Sequence, residues 1–154
     1  MSPSDQDRIQ KTVDLAAPVS RVWRALTDHV EFGRWFHVRL DGPFRVGETT
    51  TGNVTYPGHE DMQWESVTER MEHERLFAFT WPPGAIDPES TYSDDAKILV
   101  EFHLQPTANG TRLTITETGF LQFPASKRAE VLRSNKEGWE LQAGNIAAHV
   151  MSQE

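Results

Sequence analysis

The sequence has no cysteine among its 154 residues. That absence excludes disulfides, thiolate zinc sites, iron–sulfur clusters and a cysteine nucleophile together. Basic residues are scarce: 15 Lys and Arg stand against 23 Asp and Glu, a formal charge of −8. No run of them is dense enough to form the basic stripe that counterion release at a phosphate backbone requires, so nucleic acid is not expected as a partner. Long apolar runs are missing too, and nothing approaches the roughly 18 residues of a membrane-spanning helix. Residues 1–7 are polar and acidic, without the basic and apolar stretches of a signal peptide. They read as a loose tail, and a cytoplasmic location is expected. G-x-S-x-G, P-loop and G-x-G-x-x-G motifs are also lacking.

Aromatic residues are what the chain has in quantity. Five Trp, eight Phe and two Tyr make 10 % of it. At about 150–250 Å² buried per ring, they supply a core for one domain despite a mean hydropathy of −0.57. Arg8–Leu15 alternates Ile9, Val13 and Leu15 on one face, as a half-buried strand does. Ala17-Pro18 then opens a helix carrying Val19, Val22, Trp23 and Leu26 at helical spacing. A second short helix is expected over residues 30–35. From Phe44 the period changes to two, and strands are expected over 49–56, 63–71, 76–81, 97–105 and 112–119. A bulge within residues 60–72 would shift the strand phase there. Asn109-Gly110 between two alternating runs marks a hairpin.

Residues 124–151 read as one long helix. Val131, Leu132, Asn135, Trp139, Gln142, Ala143, Ile146 and Val150 make its apolar stripe. One helix cannot cover such a sheet flush, so the sheet must curl around it and leave a concave space between the two. The expected fold class is therefore α+β: a curved antiparallel sheet gripping a long C-terminal helix, with two short helices after the first strand, in a single domain over residues 8–151.

The strand and Ala17-Pro18-Val19-Ser20-Arg21-Val22-Trp23, then Trp35-Phe36, Gly42-Pro43-Phe44, Glu74-Arg75-Leu76-Phe77-Ala78-Phe79-Thr80-Trp81, Gly110-Thr111-Arg112-Leu113 and Gly138-Trp139 occur in an order and spacing that resembles the START-like superfamily. The branch it is most similar to is homologous to the C-terminal domain of the heat-shock-protein ATPase activator. The resemblance covers residues 8–150. It implies a helix-grip fold with a cavity for lipids, polyketides or other hydrophobic molecules. Between residues 71 and 74 the chain has Met71-Glu72-His73-Glu74 where many relatives carry a proline, a difference that bears on a turn.

Two clusters invite a metal and fail. His59-Glu60-Asp61 follows Pro57-Gly58 as a polar turn does, with no second histidine at ligand spacing, and Glu72-His73-Glu74 lacks one in the same way. No metal and no organic cofactor is expected. The ring-bearing positions Trp35, Trp64, Phe77, Phe79, Trp81, Phe102 and Trp139 are candidates to line the cavity, ordinary core packing being the alternative for each. Glu117 shares a face with Leu113 and Ile115, and Asn135 and Gln142 share one with Trp139. A buried carboxylate or amide without a partner costs roughly 1–3 kcal/mol, so these polar residues point to an internal network or a wet pocket. Glu117, with a raised pKa, could act there as an acid or base. Glu65, His37 and Tyr92 are candidates for the cavity mouth.

The expected function is binding of a small hydrophobic or amphipathic ligand, lipid-, polyketide- or aromatic-like. Two alternatives stay open: a cyclase or dehydrase using a cavity carboxylate or histidine, and a co-chaperone-like stress-response module. Convergence of two titratable groups inside the cavity separates the first from binding. An exposed apolar patch of several hundred Å² would favour the second. A protein partner or a homodimer is left open.

Overall fold

The computed structural model describes residues 7–151. The expected tail, residues 1–7, falls outside these apart from Asp7, whose carbonyl accepts from the Gly119 N–H at 3.0 Å. Strand β1 (Arg8–Leu15) leads into α1 (Val19–Thr27) and α2 (His29–Phe36). Pro18 stands just before α1, and its carbonyl accepts from the N–H groups of Arg21 and Val22 at 2.9 and 3.1 Å. Asp28 ends α1 and caps α2, its carboxylate accepting from the backbone N–H groups of Val30 and Glu31 at 3.0 and 3.1 Å. One acidic residue therefore turns the chain sharply between two helices.

Strands β2 (Val38–Leu40), β3 (Thr49–Val54), β4 (Gln63–Glu72), β5 (Leu76–Trp81), β6 (Ile98–Thr107) and β7 (Gly110–Thr118) follow, and helix α3 (Ala125–Met151) completes the element order. All seven strands pair antiparallel in the order β1-β7-β6-β5-β4-β3-β2. The fold is the expected α+β helix-grip. A register shift between Thr68 and Arg70 interrupts the β4–β5 ladder, within the stretch where a bulge was anticipated.

Strand β2 was not anticipated, because three residues carry too little alternation to register. Its backbone passes so close to β3 that a side chain at Gly52 would place Cβ 2.2 Å from the Arg39 carbonyl oxygen. The β6–β7 hairpin forms at the Asn-Gly signal, with Ala108-Asn109 as its loop and Thr107 paired to Gly110. At Gly110 a Cβ would lie 2.1 Å from the Leu15 carbonyl, so glycine is needed for the close pass of β1.

Phe32, Phe77, Phe79, Phe102, Phe120 and Phe123 are fully buried. Helix α3 buries Trp139, Ala143, Ile146 and Val150, steps of three and four along one stripe. Its backbone runs nearest β1, α1 and α2. Over the middle of the sheet, large rings rather than backbone fill the gap.

Candidate functional site

Where α3 stands off from β4 and the end of β5, a cavity of about 310 Å³ remains. Trp64, Glu65 and Gln63 come from the start of β4, and Trp81 from the last residue of β5. Phe36 closes α2, while Ser134, Asn135, Gly138, Trp139 and Gln142 form the α3 wall. Val54, Met62, Ala85 and Ile86 complete the lining. A Cβ added at Gly138 would meet no atom within 4 Å, so the glycine leaves this part of the wall open.

Glu117 on β7 lies directly behind the wall, with 0 % exposure. Its Oε1 accepts from the Trp139 indole N–H at 2.8 Å and from the Asn135 amide at 3.1 Å, and its Oε2 accepts from the Trp81 indole N–H at 3.0 Å. Burial pushes its pKa above the ordinary carboxylate range, and the hydrogen bonds from Trp139, Asn135 and Trp81 act against that rise. Three donors and no cation hold this carboxylate. The third lining indole, Trp64, donates to the Ser66 hydroxyl at 2.9 Å. Gln142 donates to the Phe36 carbonyl at 3.3 Å and accepts from Asn145 at 3.1 Å, tying the end of α2 to α3.

A second cleft of about 360 Å³ adjoins the cavity and shares Ile86, Ser134 and Asn135 with it; Asp87, Glu89, Lys127 and Glu130 also line it. Lys127 on α3 clips the loop after β5, reaching Asp87 at 3.2 Å, Ser90 at 3.1 Å and Glu89 at 3.5 Å. The Tyr92 hydroxyl donates to Asp87 at 2.7 Å. That bond, with help from Ser90 and Lys127, brings the Asp87 pKa down to about 2. Burial and the Asp87 carboxylate push Tyr92 up to about 12.

Of the candidates named from sequence, Trp64, Trp81, Trp139 and Gln142 line the cavity together with Asn135 and Glu65. Glu117 sits one layer behind them. Trp35, Phe77, Phe79 and Phe102 do not line it. The Trp35 indole donates to the Ala25 carbonyl at 2.9 Å and pins α1 to α2. Phe77, Phe79 and Phe102 pack ring against ring, with Trp64 and Trp81 against Phe79 and Trp139 against Phe102. His37 and Tyr92 also lie off the cavity: His37 holds the left-handed turn that ends α2, and Tyr92 belongs to the Lys127 clip. Sequence reasoning missed Phe36 and Gly138 as lining residues. A glycine inside a helix, directly before a stripe tryptophan, was the available signal for the second.

Among the described residues, no group of three or more His, Asp or Glu is placed to hold a metal ion. None of their helices is long and apolar enough to cross a membrane.

Residues 16–151 match the family described as Activator of Hsp90 ATPase homolog 1-like protein. The chain belongs to this family. Solved structures of the same fold include MLL2253 from Mesorhizobium loti, 20 % identical over 96 % of this chain and 98 % of that one, with a TM-score of 0.74. NE0264 from Nitrosomonas europaea aligns over 100 % of both chains at 18 % identity and a TM-score of 0.73. DynU16, a protein from the dynemicin biosynthetic locus, is 22 % identical over 96 % of this chain and 48 % of its own, with a TM-score of 0.71. No curated protein matches the chain. At these identities the solved structures speak for the fold alone.

Proposed function

We propose that this activator-like family member binds a small hydrophobic or amphipathic molecule in the cavity between β4, β5 and α3. The observation that carries this reading is the cavity wall itself. Four aromatic side chains, Phe36, Trp64, Trp81 and Trp139, face about 310 Å³ of space, next to a helical glycine that keeps it open.

Acid–base catalysis is less well supported, because the titratable groups do not converge. Glu65 is an exposed rim residue, and Glu117 is wrapped by three donors behind the wall. A protein-docking role finds little support in the exposed apolar residues. Among the described residues Val30, Val46, Tyr56, Met62, Leu121, Leu141 and Met151 are the exposed large hydrophobics, spread over α2, three connections and α3, with Met62 at the cavity.

The test uses the neutral fluorophore N-phenyl-1-naphthylamine. Wild-type protein should take up near one equivalent, with a gain in probe emission and quenching of tryptophan emission. Gly138→Leu should abolish uptake by filling the cavity, while the helix gains about 0.8–1 kcal/mol from losing a glycine. Undiminished binding by a folded Gly138→Leu variant, or no binding by wild type, would remove this reading.

A further inference from the structure

The four aromatic residues of the cavity form a closed circuit. Ring centroids lie 5.2 Å apart for Phe36–Trp64, 5.4 Å for Trp64–Trp81, 6.2 Å for Trp81–Trp139 and 6.1 Å for Trp139–Phe36. An indole has a positive N–H edge and negative faces. All three N–H edges are turned to acceptors outside the lining, Ser66 for Trp64 and Glu117 for the other two. Donation to a carboxylate also polarises an indole, leaving its ring richer in electrons. Rings so arranged attract a cation and offer an anion no donor.

The charges around the cavity have the same sign. Its lining contains Glu65 and no Lys, Arg or His. Asp87, Glu89 and Glu130 line the adjoining cleft. The one basic side chain there, Lys127, is already bound to Asp87, Glu89 and Ser90. A carboxylate or sulfonate ligand would enter a field of its own sign. Low-dielectric walls concentrate that field, and a cation would be drawn in by it.

Resting on the ligand-binding reading above, we infer that the molecule bound is an organic cation, an ammonium or quaternary ammonium group on an apolar body. The cationic group sits over the circuit of Phe36, Trp64, Trp81 and Trp139. The apolar body lies along Ile86 and the open stretch at Gly138.

Two molecules of one shape and different charge test this: 4-hydroxyphenyltrimethylammonium and its carbon counterpart 4-tert-butylphenol. 4-tert-Butylbenzoate serves as the anion. Each is titrated at pH 7 against wild-type protein loaded with N-phenyl-1-naphthylamine, and displacement is read. The expected result is displacement by the cation at a concentration at least tenfold lower than by the neutral phenol, with the benzoate weakest. Equal or stronger displacement by the phenol or the benzoate overturns the cation assignment, and so does displacement by none of the three. Either outcome leaves the ligand-binding reading standing, because the fluorophore is bound; only failure of the fluorophore itself removes both.

Discussion

Glu117 is the residue on which the site turns, because it combines full burial with three neutral donors and no counter-charge. Burial raises its pKa from the ordinary value of 4.5, so the folded chain holds this proton more tightly than the unfolded chain does. Above that ordinary value the folded state therefore binds more protons, and the Glu117 contribution to stability falls as pH rises towards the folded pKa. Glu117→Gln cannot titrate and should lose this slope. Denaturation midpoints of the two proteins in urea, compared across several pH values, should diverge in that direction; parallel curves would mean that folding leaves the proton affinity of Glu117 unchanged. Glu117 could be found in the sequence because a carboxylate in an inward alternation is conspicuous. Its partners could not be paired with it from sequence, since Trp81, Asn135 and Trp139 come from the end of one strand and from a helix, and only the curl of the sheet brings them to one point.

The same limit applies to whole elements. The two-residue period of β5 and β6 correctly turns Phe77, Phe79, Trp81 and Phe102 inward, but alternation does not say which inward positions a second layer of rings will cover. Trp64 packs on Phe79 and Trp139 on Phe102, and Trp81, the last residue of its strand, is left at the cavity edge. Long elements with strong periods, β1, β6, β7 and α3, were legible to within a few residues. Strand β2 was not, since its evidence lies in its partner: Gly52 of β3 has no Cβ where the Arg39 carbonyl passes at 2.2 Å from that position. Gly52→Ala should accordingly destabilise the protein by more than the few tenths of a kcal/mol typical of a surface change, roughly 1–3 kcal/mol. The loss should show as early hydrogen exchange of β2 and β3 amides. An unchanged midpoint would mean that the two strands separate easily to admit the methyl group.

At the scale of the molecule, Glu31 joins three helices. Arg21 and Arg24 of α1 donate to its two carboxylate oxygens, both at 2.6 Å, and His149 of α3 places Nε2 2.9 Å from Oε1. Burial opposes ionisation here, but the hydrogen bonds from His149, Arg21 and Arg24 prevail and lower the Glu31 pKa from 4.5 to about 2. The sign is opposite to that of Glu117: this contribution is present above pH 4.5 and is lost as pH falls through about 2. Glu31→Gln should therefore weaken the protein near neutral pH and flatten its acid unfolding curve between those values. An unaltered acid limb would show that the cluster does not couple the helices. Strand order also governs how the molecule can be made. β1 pairs only with β7, so Arg8 waits for Thr118 and Leu15 for Thr111, and α3 enters the grip after both. With synthesis at about 5–20 residues per second, β1 and the apolar faces of α1 and α2 stay without their final partners for several seconds or longer on the ribosome. During that interval the nascent chain exposes the surfaces that holding chaperones bind, and a stalled or prematurely released chain would lack the strand that closes its sheet.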